Sequence, residues 1–473
     1  MQIAVFRFPC RLVGEQDLAA ISFYDRRECR PCSLHFYNSS SAPQLYLCLV
    51  MDFELMVQRF IQWPFCGSAR LRPSSVRSGL LTNLARLSVL KCVMLATFFL
   101  ANISCGRGED RAAIPTENVV FKHKSGQTTS VGEIVVEAED GGMLLLTPDG
   151  QLWTLQPADI VSRSASTEPM QAQSSEEIYA RFKLQVTDGF KVHKTAHYVI
   201  IYNTSEVYAQ WVGEMYEGLY RKFHNFWKSK KIELEEPRFP LVAIVFNTKE
   251  AYLAYAEREI GQTAKALIGY YNMETNRMIS FDLTGVAGLA GGGRLNSAQL
   301  INQAFSQPGA ERTLATNVHE AVHQLSFNTG LQVRLSDSPL WFSEGMAMFF
   351  ETPDTKSARG GATVGQINYY NLRWFANYLP QRPADSLTTL ITDDSRLKNA
   401  ATAKDAYSES WALTYFLLKT KSKQYVAYLE DLRNLAPLVD TPPRDRIGMF
   451  KRHFGDDLQE LDKEFINYIR RQR

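Results

Sequence analysis

The chain has 473 residues, of which 45% are hydrophobic and 22% charged, with a formal net charge of +2. These are the proportions of a globular protein with enough chain for a large core, and they exclude a fibrous or wholly disordered polypeptide. The near-neutral balance gives no electrostatic case for nucleic acid.

Charge and cysteine usage both divide the chain near position 105. Residues 1–105 hold 11 Lys and Arg against 6 Asp and Glu, whereas residues 106–473 hold 41 against 44. All seven cysteines (Cys10, Cys29, Cys32, Cys48, Cys66, Cys92 and Cys105) fall in the first part. A larger part without cysteine suits a bacterial envelope or extracellular protein that folds without oxidative help, the alternative being a cytosolic protein that lacks cysteine by chance. Cys29-Arg-Pro-Cys32 has the spacing of a metal knuckle or redox pair, but no second pair at ligand spacing accompanies it.

Arg86 to Lys91 is basic, Cys92 to Ala101 is an apolar run of ten residues, and Asn102-Ile103-Ser104-Cys105 follows. The order matches a secretory signal peptide over 76–105. As a helix the run spans about 15 Å, half of a bilayer core of roughly 30 Å, which argues against a permanent span. A signal belongs at an amino terminus, so the expectation is a start between Val76 and Leu81, with residues 1–75 an untranslated or disordered extension. Cys105 offers an alternative membrane tie by acylation, although Asn102 and Ile103 fit a lipobox poorly.

A small β module is expected over 106–162. Asn118–Lys122, Glu133–Glu137 and Met143–Thr147 read as strands between the turn residues Ser125-Gly126, Asp140-Gly141-Gly142 and Pro148-Asp149-Gly150. Residues 163–177, rich in Ser, Gln, Glu and Thr, read as a linker. The remaining residues, 178–473, form the expected catalytic domain, with a sheet-containing part (178–310), two site helices (311–352) and a helical part (353–473). Within it His197–Tyr202, Leu241–Phe246 and Asn276–Asp282 read as strands, and Ser205–Lys228 and Thr248–Ile260 as helices. Val286–Arg294 is glycine-rich but lacks the Gly-Lys-Ser/Thr of a phosphate loop, so a flexible loop is expected there, and another at Lys356–Ala362.

The chemistry is concentrated in Thr316–Gly330, an apolar helix-like run holding His319-Glu320-Ala321-Val322-His323. Two histidines at i and i+4 on a helix share one face and are able to hold one metal ion. Glu320 is then placed to take a proton from a water held by that ion. Catalytic zinc commonly has three protein ligands. Glu344, within a second apolar segment from Trp341 to Phe350, is the candidate third, giving one Zn2+ held by His319, His323 and Glu344. The bland alternative is a buried helix whose histidines bond to neighbouring backbone.

At these residues the chain resembles known families. The His-Glu-x-x-His motif, twenty further residues, and Glu344 within Trp-x-x-Glu-Gly-x-Ala-x-x-x-Glu (Trp341 to Glu351) look like the gluzincin metallopeptidases, the second element being close to that of M1-type aminopeptidases. Residues from about His193 to Ile469 also resemble a bacterial family, domain of unknown function 1570, itself regarded as gluzincin-like. That likeness is carried by Pro240–Phe246, Gly269-Tyr270-Tyr271, Asn276-Arg277, His323-Gln324, Asn328-Thr329-Gly330, Pro339-Leu340-Trp341, and Tyr407 with Trp411–Thr414. The resemblance implies an α+β, zincin-like fold with His319, His323 and Glu344 as ligands and Glu320 as base. It also suggests Gly269–Phe281 as a substrate-binding edge, against an ordinary sheet strand, and Tyr407 as an oxyanion-stabilising catalytic residue, against a core aromatic. Glu351, seven residues after Glu344 and so on the same helix face, is a candidate to orient a ligand histidine, the alternative being a surface or helix-end carboxylate. Two departures matter. The thermolysin-like pattern has an acid four residues after the ligand Glu, where this chain has Met348, and the exopeptidase Gly-x-Met-x-Asn element is missing, so aminopeptidase activity is not implied.

The resulting expectation is a secreted or envelope-anchored zinc metallopeptidase acting on peptide or protein substrates as an endopeptidase. Two rivals stand beside it: a catalytically silent zincin used as an extracellular binding module, and a zinc hydrolase of non-peptide amides in cell-wall material.

Overall fold

The computed structural model describes residues 116–472 apart from 124–125, 187–188, 286–296, 306–309 and 353–363. The signal-like segment, every cysteine and both expected flexible loops fall, wholly or for the most part, outside the described residues.

Five strands build the first sheet: β1 (Thr116–His123), β2 (Gly126–Glu137), β3 (Met143–Leu146), β4 (Leu152–Leu155) and β5 (Ile160–Ala165). Their order is β4-β3-β2-β1-β5, with antiparallel neighbours. Successive strand residues point to opposite faces. Val119, Phe121, Met143 and Leu145 accordingly fill a small core of this sheet, while Leu144 and Leu152 turn the other way into the main core. The stretch expected to be a linker opens inside β5 and closes in α1 (Ser175–Lys183), which Ser174 and Glu177 start with a capping box.

The second sheet has the order β6-β7-β8-β10-β9. Its strands are β6 (Lys191–Lys194), β7 (Tyr198–Tyr202), β8 (Leu241–Phe246), β9 (Gly269–Asn272) and β10 (Arg277–Phe281). The apolar runs of β7 and β8 are wholly buried and lie parallel to each other, and β8 is parallel to β10. Parallel strands need crossovers, supplied by α2 (Glu206–Ser229) and α3 (Lys249–Ile260). The edges β6 and β9 run antiparallel to their neighbours.

The rest is helical: α4 (Ala298–Phe305), α5 (Ala310–Asn328), α6 (Leu340–Phe350), α7 (Tyr369–Tyr378), α8 (Ser386–Thr392), α9 (Ser395–Lys398), α10 (Ala403–Thr420), α11 (Ser422–Arg433), α12 (Pro443–Phe454) and α13 (Leu458–Arg470). The chain is thus a mixed α/β protein with two small sheets. Among the described residues no helix is long and apolar enough to cross a membrane.

Two features position the site helices. α6 is apolar on all sides and almost entirely buried, as expected of a helix packed all round. It packs closely on α10 at Gly345, where an added Cβ would overlap Thr414 Oγ1 and lie 2.5 Å from the Ser410 carbonyl oxygen. Its amino-terminal turn is fixed from a distance, since the Leu340 N–H donates to Asp394 Oδ1 at 3.0 Å. Asp394 is itself paired with Arg446 at 3.0 Å, and Arg446 with Asp337 at 2.6 Å.

Candidate metal centre

His319, Glu320 and His323 lie on α5 and Glu344 on α6, all buried. The i, i+4 spacing turns both imidazoles to one side, and their Nε2 atoms lie 3.1 Å apart. Glu344 Oε2 is 3.1 Å from His319 Nε2, and its Oε1 is 3.8 Å from His323 Nε2. Among the described residues this is the one group of three or more His, Cys, Asp or Glu whose ligand atoms all lie within 4.8 Å of one another. Ligands about 2.0–2.1 Å from a tetrahedral ion are separated from one another by about 3.3 Å, so the triangle has the size an ion requires.

The hydrogen-bonding pattern supports the same fit. His319 Nδ1 lies 2.7 Å from Glu351 Oε2, and Glu351 Oε1 accepts from Asn368 Nδ2 at 2.9 Å. A carboxylate only accepts, so the Nδ1 proton of the neutral ring belongs on that side. Nε2 is then bare and faces a carboxylate oxygen of Glu344. Two opposed acceptors at 3.1 Å need a cation between them, a proton or a metal ion. Burial disfavours charge on His323 and, outweighing the pull of Glu344, pushes its pKa down to about 4. At neutral pH that ring is in the form that ligates metal. Burial opposes ionisation of Glu344, yet the adjacent His319 and His323 imidazoles outweigh it and hold its carboxyl well below the ordinary range. His323 Nδ1 is buried with no hydrogen-bond partner among the described residues, so among them only the His319 imidazole is oriented from behind.

Glu320 points to the sheet, where its Oε2 accepts the Tyr271 N–H at 2.9 Å. Tyr271 belongs to the edge strand β9, so the segment expected to border the cleft lies against the motif helix. The strand is locked to α5 by amides. Tyr271 Oη donates to Asn276 Oδ1 at 2.7 Å, and the Asn276 and Asn328 side chains pair reciprocally at 2.8 and 2.7 Å. Gln324 Nε2 donates to the carbonyls of Val242 and Asn276 at 3.0 and 3.2 Å. Asn276 has φ +57, a left-handed conformation that Asn tolerates well in a turn.

The structure therefore brings His319, His323 and Glu344 together, with Glu320 one residue from the first histidine and Glu351 behind it. Tyr407 lies on α10, half-buried and packed against the main core. Asn276, Asn328, Asn368 and Asp394 have no periodic signal that would single them out as site-supporting residues; the turn composition around Asn276 is the nearest to one.

The fold and site together define a mixed α/β protein with a buried His-His-Glu group suited to a metal ion. Residues 313–439 match the family described as Protein of unknown function (DUF1570), a narrower span than the likeness drawn from the sequence. No curated protein matches the chain.

Proposed function

We propose that the protein is an exported zinc-dependent peptidase of gluzincin type, acting as an endopeptidase. The observation that carries the reading is the convergence of His319 Nε2, His323 Nε2 and a Glu344 carboxylate oxygen, with Glu320 next to His319 in the chain and its carboxylate held by the Tyr271 N–H. Two imidazoles and a carboxylate are a donor set that zinc takes in hydrolytic enzymes. When bound there, the ion supplies a Lewis acid that polarises a carbonyl and acidifies water.

The chain's own groups divide the remaining work. Glu320 accepts the proton of the attacking water and returns it to the leaving amine. The Tyr271 N–H fixes one oxygen of that carboxylate and so its orientation. Glu351 holds His319 in the tautomer whose Nε2 lone pair is directed at Glu344 and His323. Burial keeps His323 neutral. Tyr407 is the candidate donor to the developing oxyanion. The apolar surroundings of α6 keep bulk water from the ligand side of the site.

The test is elemental analysis of the purified protein together with cleavage of a mixed peptide library by wild type and Glu320→Gln. One zinc per chain, with cleavage that the substitution abolishes, is expected. One zinc without cleavage by either protein would favour a silent binding module, and absence of metal would overturn the site.

A further inference from the structure

The turn between β3 and β4 brings the first sheet against the connection between β9 and β10. Residues 147–151 join β3 to β4 in a turn closed by the Gly150 N–H on the Thr147 carbonyl at 2.8 Å, with Gly150 at φ +78. A Cβ at Gly150 would lie 3.1 Å from Phe239 and 3.2 Å from Asn276 Nδ2. The turn thus presses backbone-first onto the connection between β9 and β10. Just beyond it the Leu152 N–H donates to the Glu274 carbonyl at 2.7 Å, inside that same connection.

The loop joining the two ligand-bearing helices grips this contact from its other side. Arg334 Nη1 donates to the Gly150 carbonyl at 2.8 Å and to the Met273 carbonyl at 3.2 Å. A guanidinium presents several donors in a rigid fork and is usually matched to a carboxylate or phosphate. Here its hydrogen bonds among the described residues go to two backbone carbonyls from segments more than a hundred residues apart. The connection it holds carries Asn276, which bonds Tyr271 Oη and Asn328 of α5, and β9 carries the Tyr271 N–H that holds Glu320.

We infer that Arg334 and the Gly150 turn form a brace that sets the β9–β10 hairpin against α5, making Arg334 a positioning residue for Glu320 and the amino-terminal sheet a working part of the site. A free-standing binding domain would touch the rest of the chain through a linker. This sheet is instead stitched to it at the hairpin and again by Arg238, which pairs bidentately with Glu133 at 2.6 Å. The catalytic consequence rests on the reading of Glu320 as proton acceptor, whereas the mechanical claim about the hairpin does not.

The test is hydrogen–deuterium exchange of the full chain, with turnover and metal content, for wild type, Arg334→Gln, Arg334→Lys and Gly150→Ala. Removing a charged donor from two carbonyls should speed exchange over 269–281 by about 10- to 100-fold, while α3 and α10 exchange as before and zinc stays at one per chain. Lysine should recover part of the protection. Turnover should fall with KM little changed, as expected when the base and not substrate contact is disturbed. Should Arg334→Gln not fold, Gly150→Ala carries the test, because its strain falls on the same connection. Unchanged exchange over 269–281 would overturn the brace, and so would protection lost evenly along the chain, which would make Arg334 a general stability contact. Faster hairpin exchange in a protein that cleaves no peptide even as wild type would leave the brace standing and remove the peptidase reading.

Discussion

Glu351 should control metal affinity without touching the metal. Its Oε2 is 2.7 Å from His319 Nδ1, its other oxygen is held by Asn368 at 2.9 Å, and its side chain is only 13% exposed. Glu351→Ala removes a charge-assisted hydrogen bond from a place where water has little room to replace it. Bonds of this kind contribute about 1.5–3 kcal/mol. Loss of an outer partner of a ligand histidine typically weakens metal binding by about 10- to 100-fold, which is about 1.4–2.8 kcal/mol. The two ranges agree, and the ring also loses the acceptor that keeps its proton on Nδ1. Glu351→Gln retains an acceptor in the same place and should weaken binding only several-fold, with Asn368→Ala falling between. The assay is competition for zinc between apo-protein and a chromophoric chelator at neutral pH, which needs no substrate. A dissociation constant for Glu351→Ala within twofold of wild type would refute the argument that the carboxylate orients the ring.

Other outcomes follow from the same geometry. Gly345→Ala places a methyl against Thr414 and the Ser410 carbonyl and should cost about 1–3 kcal/mol; an unshifted melting temperature would show that α6 and α10 are not in tight contact. Glu409 is fully buried and accepts from Arg382, Arg396 and Ser386 at 2.7–3.0 Å, so Glu409→Gln should destabilise by about 3–5 kcal/mol in urea unfolding. Burial raises the Glu217 pKa, but hydrogen bonds from His197 and Thr195 outweigh that and lower it. Its contribution is therefore present above the ordinary carboxylate pKa and lost as pH falls through the depressed one, and Glu217→Gln should flatten the acid limb of a stability profile. Tyr407→Phe should lower turnover with zinc content unchanged, and equal turnover would remove Tyr407 from the reaction.

What could be read in advance depended on range. The two candidate ligand histidines are four residues apart on one helix, so local periodicity alone brought them together, and the apolar run around Glu344 marked α6. The buried strands β7 and β8 announced themselves by β-branched residues in sequence. β5 did not, because Ser162, Arg163 and Ser164 belong to an exposed edge strand whose formation depends on pairing with β1 and not on burial, which is why that region read as linker. Arg334, Asp394 and Asn368 were equally hidden. Each acts on backbone or side chains far away in sequence, and an isolated polar residue in a loop or at a helix end carries no pattern that distinguishes support from solvent exposure.

The anchoring of α6 bears on where this protein is safely shortened. Residues 313–439 match the family model and contain all three candidate ligands, and a fragment ending there would look sufficient on paper. It would lack Arg446, and with it the cation that holds Asp394 beneath the first turn of α6. Asp394 would then be left as a buried carboxylate that keeps only Lys398, at 3.8 Å, as a counter-charge, at the point where it organises the helix bearing Glu344. The natural boundary of the metal centre therefore lies past α12, and preparations meant to report on metal binding should retain the chain through that helix.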